Sequence, residues 1–163
     1  MKCPKTLITD SERPAFPFEK CLAKTWNDGS ILCGRTVQEH CMIAGSIAEI
    51  LVSIFNNLVL NLLPTESFIP ALLHDIGKIC PTFQAKLWIA IIGRDNVRKE
   101  KPELAGIDPK VETSWNGHAT VSGSALKEMG APESLVQITG SHHGRFSGLR
   151  PASEFGGKSW QVE

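Results

Sequence analysis

All five histidines of this chain stand where a helix would begin, end or turn its edge inward: His40, His74, His118, His142 and His143. His74 is followed directly by Asp75 within Leu72-Leu73-His74-Asp75-Ile76-Gly77-Lys78, where a polar pair interrupts an apolar run and a glycine closes it. An imidazole and a carboxylate side by side can reach one cation, and the carboxylate can bridge two. One such pair alone is more often a buried histidine beside a capping aspartate. Five histidines on four helices with one shared aspartate fit that reading poorly. Nitrogen-rich ligands with a carboxylate suit manganese, iron, cobalt or nickel, with zinc less favoured, and argue against calcium. Lys78 could meet a phosphate or its developing charge, or serve as a cation at a helix C-terminus.

The elements that must position these groups are predicted to be helices. Thr36-Val37-Gln38-Glu39 has capping-box spacing and opens a long helix. Its inward stripe is read as Val37, Cys41, Ala44, Ala48, Leu51, Phe55, Leu58 and Leu62, ending near Pro64, with His40 at the edge. A second helix starts after Thr65 or Ser67, tolerates Pro70 in its first turn and ends at Gly77, so that His74 and Asp75 occupy its last turn. Pro81 opens a third, through Phe83, Leu87, Trp88, Ile91 and Ile92 to Gly93. Residues 93 to 117 read as a long loop whose Arg94, Arg98, Lys99 and Lys101 are either solvated or DNA-contacting. Gly117-His118 begins a fourth helix that stops at Gly130. Pro132 opens a fifth, with His142 and His143 in its last turn before Gly144. Residues 1 to 35 look like an irregular leading segment in which Leu22-Ala23-Lys24-Thr25-Trp26 supplies a packing anchor. Residues 145 to 158 read as a loop and 159 to 163 as a new helix start. No strand pattern or internal repeat stands out, so the expected class is all-α, a helical bundle with a metal site between facing helices.

With 163 residues the chain fits one domain spanning 1–163 and can bury a core without disulfides. Seventeen basic and seventeen acidic side chains cancel, which excludes the strong positive field of autonomous nucleic-acid binders. The five cysteines are odd in number and form no C-x-x-C, arguing against a disulfide framework and a zinc ribbon and for a reducing cytoplasm. The leading Met-Lys-Cys-Pro-Lys-Thr is not a secretory signal. The apolar run from Ile43 to Leu63 carries Glu49, Asn56, Asn57 and Asn61, too polar for a membrane span. A soluble, cytoplasmic protein is expected.

The order His40, His74-Asp75 with Gly77 and Lys78, His118, then His142-His143-Gly144 resembles the HD superfamily of metal-dependent phosphohydrolases. Ala23-Lys24-Thr25 ahead of Gly34-Arg35-Thr36-Val37-Gln38-Glu39-His40, and Pro81-Thr82-Phe83-Gln84 after the HD pair, narrow it. With Gly117-His118 and the HHG end, they look like the HD nuclease domain of the CRISPR type I interference helicase-nuclease. That resemblance implies a two-metal nuclease degrading the single-stranded DNA displaced by an RNA-guided surveillance complex, with a helicase domain fused or separate. It implies one ion held by His40, His74 and Asp75, and another by Asp75, His118, His142 and His143. Asp75, as the bridge, and Lys78 are the expected catalytic residues. The family pattern also has a later aspartate, whereas only Glu154 and Glu163 are acidic after His143 here. The expectation is therefore a domain truncated at its C-terminus, or a shortened homologue, with weaker metal retention.

Two other functions compete: an HD phosphohydrolase acting on a nucleotide or cyclic dinucleotide, and a non-catalytic docking module. The neutral charge implies that a nuclease of this kind depends on delivery of a single strand by its partners. Trp88 and Trp115 are candidate stacking platforms, with a packing role favoured for Trp88.

Overall fold

Thr36 Oγ1 accepts the Glu39 N–H at 3.2 Å and Glu39 Oε2 accepts the Thr36 N–H at 2.9 Å, completing the expected capping box. It opens α1, Val37–Ile54. The computed structural model describes residues 15–55 and 65–144. Val37, Cys41 and Gly45 are the buried positions of α1. At Gly45 a Cβ would come to 3.1 Å from the Leu72 side chain, so the missing side chain lets the next helix lie close.

The inward stripe departs from the sequence reading in its second half. Leu51 and Phe55 are exposed, and Leu58 and Leu62 lie outside the described residues. A line stepping by sevens drifts about 20° per heptad around a straight helix, so the buried line passes instead through Gly45, which an apolar count ignores. The opposite face of α1 exposes Ile43, Ile47, Ile50 and Ile54. Among the described residues α1 is the one helix long and apolar enough to cross a membrane by length and composition. Core helices of soluble proteins pass that test too.

A 3-10 turn at Thr65–Ser67 leads into α2, Phe68–Leu73, which packs along α1. This helix is shorter than expected. Asp75 has left helical geometry (φ −106°, ψ 13°), and a separate 3-10 turn runs over Ile76–Ile79. The reason is steric. Gly77 passes directly beneath a later helix, α6 (His118–Glu128), and the chain tightens to fit there. Pro81 then opens α3, Pro81–Ile92, as read from the sequence.

The stretch read as an irregular loop is mostly helical: α4 at Arg94–Glu100, a 3-10 turn at Pro102–Leu104 and α5 at Val111–Ser114. Val97 and Leu104 anchor it in the core, too sparse among charges to show a period. Arg98 pairs with Asp95 at 3.7 Å, and Lys101 Nζ stands 4.3 Å from the centroid of the Trp88 ring. Trp88 thus has the packing role expected of it, also meeting Phe16 edge-on. α6, His118–Glu128, and α7, Glu133–Gly140, pack on each other. His142 and His143 follow α7 rather than ending it, because Ser141 leaves the helix and its hydroxyl donates to the Gln137 carbonyl at 2.6 Å.

The architecture is helical, as expected, with one correction. β1, Thr25–Asn27, and β2, Ile31–Cys33, pair antiparallel with Trp26 opposite Leu32. Asp28-Gly29 turns the hairpin, with Gly29 at φ 77°. Three-residue strands are too short to show alternation. Trp26 is exposed, so the packing anchor is Leu22 and Ala23 alone. Gln84 fixes that anchor from α3. Fully buried, it accepts the Leu22 N–H at 2.8 Å and donates Nε2–H to the carbonyls of Leu22 (2.9 Å) and Lys78 (2.7 Å).

Candidate metal centre

Asp75 is 3% exposed, and its two oxygens face two different sets of side chains. Oδ2 lies 2.9 Å from His40 Nε2, 3.1 Å from His74 Nε2 and 2.7 Å from Lys78 Nζ. Oδ1 lies 3.2 Å from His118 Nε2 and 3.4 Å from His142 Nε2. His143 Nε2 is 2.9 Å from His118 Nε2. The structure therefore brings all the expected residues together, from α1, the end of α2, the start of α6 and the turn after α7. Among the described residues two groups could each hold an ion: His40, His74 and Asp75, and His118, His142 and His143.

Helix ends do the orienting. His74 Nδ1 is 2.7 Å from the Ala71 carbonyl and His142 Nδ1 is 2.7 Å from the Thr139 carbonyl. The last carbonyls of a helix lack intrahelical donors, so each takes the proton of the ring three residues on. A carbonyl only accepts, which places the proton on Nδ1 and leaves Nε2 of the neutral ring as a lone pair. Those Nε2 atoms point at a carboxylate, and lone pairs facing each other near 3 Å repel unless a proton or a cation lies between them. Among the described residues Asp75 Oδ1 and His142 Nε2 are buried with no hydrogen-bond partner. This donor set, with bare nitrogens converging on a two-sided carboxylate, fits divalent transition metals.

The electrostatics follow the same geometry. Burial works against an ionised Asp75, but the imidazoles of His118, His142 and His74 and the Lys78 ammonium gathered around it outweigh that and hold the carboxyl far below the usual range. Asp75 raises His74 above its ordinary value. Burial lowers His118, yet Asp75 and Glu112 together raise it. His40 and His143 are lowered, chiefly by burial.

Lys78 rests on the Asp75 carboxylate, a third arrangement beside the two the sequence allowed. Trp115 is no stacking platform. It is buried with Cys80, Phe83 and Val121 behind the site. Sequence reasoning missed Ser122, whose Oγ accepts the Gly77 N–H at 2.8 Å, and Glu112, buried with Oε1 3.6 Å from His118 Nδ1. It also gave no role to Phe83, whose ring meets His118 edge-on at 5.3 Å between centroids. No local pattern marks Ser122 or Glu112, because both act across sequence gaps.

A family model described as Cas3, HD domain, matches residues 65–161. His74, Asp75, Lys78, His118, His142 and His143 fall inside that span and His40 falls outside it. No curated protein and no solved structure matches the chain.

Proposed function

This chain belongs to the Cas3 HD-domain family of CRISPR-associated, metal-dependent hydrolytic nucleases, and from that premise we propose that it cleaves single-stranded DNA. The observation that carries the reading is the division of Asp75, one oxygen to His40 and His74, the other to His118 and His142. In this reading His40, His74 and Asp75 would hold one divalent ion and Asp75, His118, His142 and His143 a second, with manganese, iron, cobalt or nickel the fitting metals. Such ions, when bound, supply a water activated for attack on phosphorus and stabilise the leaving oxygen. The helix-end carbonyls keep His74 and His142 bare at Nε2, and Asp75 stays ionised to serve both sides. Lys78 supplies a cation beside the carboxylate, where the charge of a phosphodiester must be met. The net change is addition of one water, giving a phosphomonoester and a free hydroxyl.

Zero net charge supports dependence on delivery. The substrate is a strand displaced by an RNA-guided complex and handed over by a helicase, fused or separate, in the cytoplasm. The test is nicking of circular single-stranded DNA with manganese, cobalt or nickel, beside a His74→Ala/Asp75→Ala control. Metal-dependent nicking absent from the control is expected. Bound metal with no cleavage of any phosphodiester would sink the reading in favour of a docking module, and hydrolysis confined to small nucleotides would favour a nucleotide phosphohydrolase.

A further inference from the structure

His74 caps the C-terminal end of α2 and His142 lies just past that of α7, where spare carbonyls orient their rings. His118 cannot be served this way. It is the first residue of α6, and the spare backbone groups at a helix start are N–H donors, not acceptors. If its Nε2 is to reach the Asp75 side as a lone pair, an acceptor for Nδ1–H must come from elsewhere.

Glu112 meets that need. It lies on α5, is 5% exposed, and places Oε1 3.6 Å from His118 Nδ1, on the ring edge away from Asp75. Its other oxygen, Oε2, is 3.4 Å from Lys86 Nζ, whose side chain is largely exposed. The Glu112 carbonyl accepts the N–H groups of Trp115 and Gly117, so the same residue also shapes the turn that delivers His118. Phe83 meets the ring edge-on. A buried carboxylate serving only Lys86 would gain little from so exposed a partner.

We propose that Glu112 is the positioning residue for His118, holding its Nδ1 proton so that Nε2 is presented bare to a metal. Carboxylate–histidine–metal relays of this kind fix ring orientation and raise ligand basicity. The inference rests on reading His118 as a metal ligand.

The test titrates metal-free protein with cobalt(II), following heat and the visible absorption of the bound ion, in wild type and in Glu112→Gln, Lys86→Met and His118→Ala. Glu112→Gln is expected to bind about 10- to 100-fold more weakly with an altered spectrum, while Lys86→Met binds as wild type does. If His118→Ala weakens binding and Glu112→Gln does not, or if Lys86→Met weakens it as much as Glu112→Gln, the inference is overturned and the metal reading stands. If His118→Ala binds like wild type, the metal reading falls and takes the inference with it. Should Glu112→Gln fail to fold, the imidazole nitrogen shifts of wild-type His118 decide. A protonated Nδ1 with a bare Nε2 supports the proposal, and the opposite tautomer overturns it.

Discussion

Gly77 and Ser122 are in direct contact: the Gly77 N–H donates to the Ser122 side-chain Oγ at 2.8 Å, and a Cβ on Gly77 would come to 2.5 Å from Ser122 N. The same Cβ would lie 2.2 Å from the His118 carbonyl oxygen. Both obstacles are main chain and cannot rotate away. The glycine two residues after the His74-Asp75 pair is therefore what lets the turn carrying Asp75 seat against the helix carrying His118.

Gly77→Ala is thus expected to push α6 and Asp75 apart. Thermal unfolding should fall by several degrees and metal affinity should drop with it. Ser122→Ala, which leaves the Gly77 N–H buried without a partner, should cost about 1–3 kcal/mol. Wild-type melting of Gly77→Ala would show that the close approach is not required.

Asp75→Ala should abolish metal-dependent cleavage, whereas His118→Ala should retain a measurable fraction, because His142 and His143 remain on that side. Initial rates on circular single-stranded DNA at saturating manganese compare the two. Equal losses would argue that the carboxylate does not join the two groups.

Metal should stabilise the fold more at pH 8 than at pH 5.5. His74 and His118 are raised above their ordinary 6.5, so in the metal-free protein their protonated contacts contribute stability below that value and lose it as pH climbs through the raised folded values. A metal needs the same nitrogens bare. Its gain in melting temperature therefore grows over the window where the protons leave. Melting curves with and without manganese at both pH values check this, and equal shifts would count against imidazole ligation.

Thiol labelling should follow burial. Burial, with Cys80 and Glu19 nearby, pushes the Cys21 thiol up to about 12, and burial pushes Cys80 up to about 11. Both should resist alkylation at pH 8 while exposed Cys33 reacts. A raised thiol favours the folded state only while protonated, so this contribution is complete below pH 9 and disappears as pH rises through 11 to 12. Peptide mapping after brief iodoacetamide treatment reads the labelling directly.

The site was legible because its chemistry is carried by rare residue types: five histidines, and an aspartate in an apolar run. Helix ends marked by Pro81, Gly93, Gly117 and Gly130 were legible because those residues act locally. Glu112 was hidden as one of seventeen acidic residues, its meaning set only by where α5 meets α6. The hairpin was too short for alternation to register. The stripe of α1 misled at Leu51 and Phe55, which are exposed, since an apolar residue's type does not say which side of a helix finds a neighbour.

The Gln84 clamp couples two things that look separable. One buried amide side chain holds the Leu22 backbone and the Lys78 carbonyl at once, so detaching residue 22 breaks the support under the turn that carries Asp75. Peeling back the leading segment and opening the metal pocket then become a single cooperative event. In amide hydrogen exchange, the Leu22 and Gly77 protons should open with one shared free energy, and Gln84→Leu should lower both together.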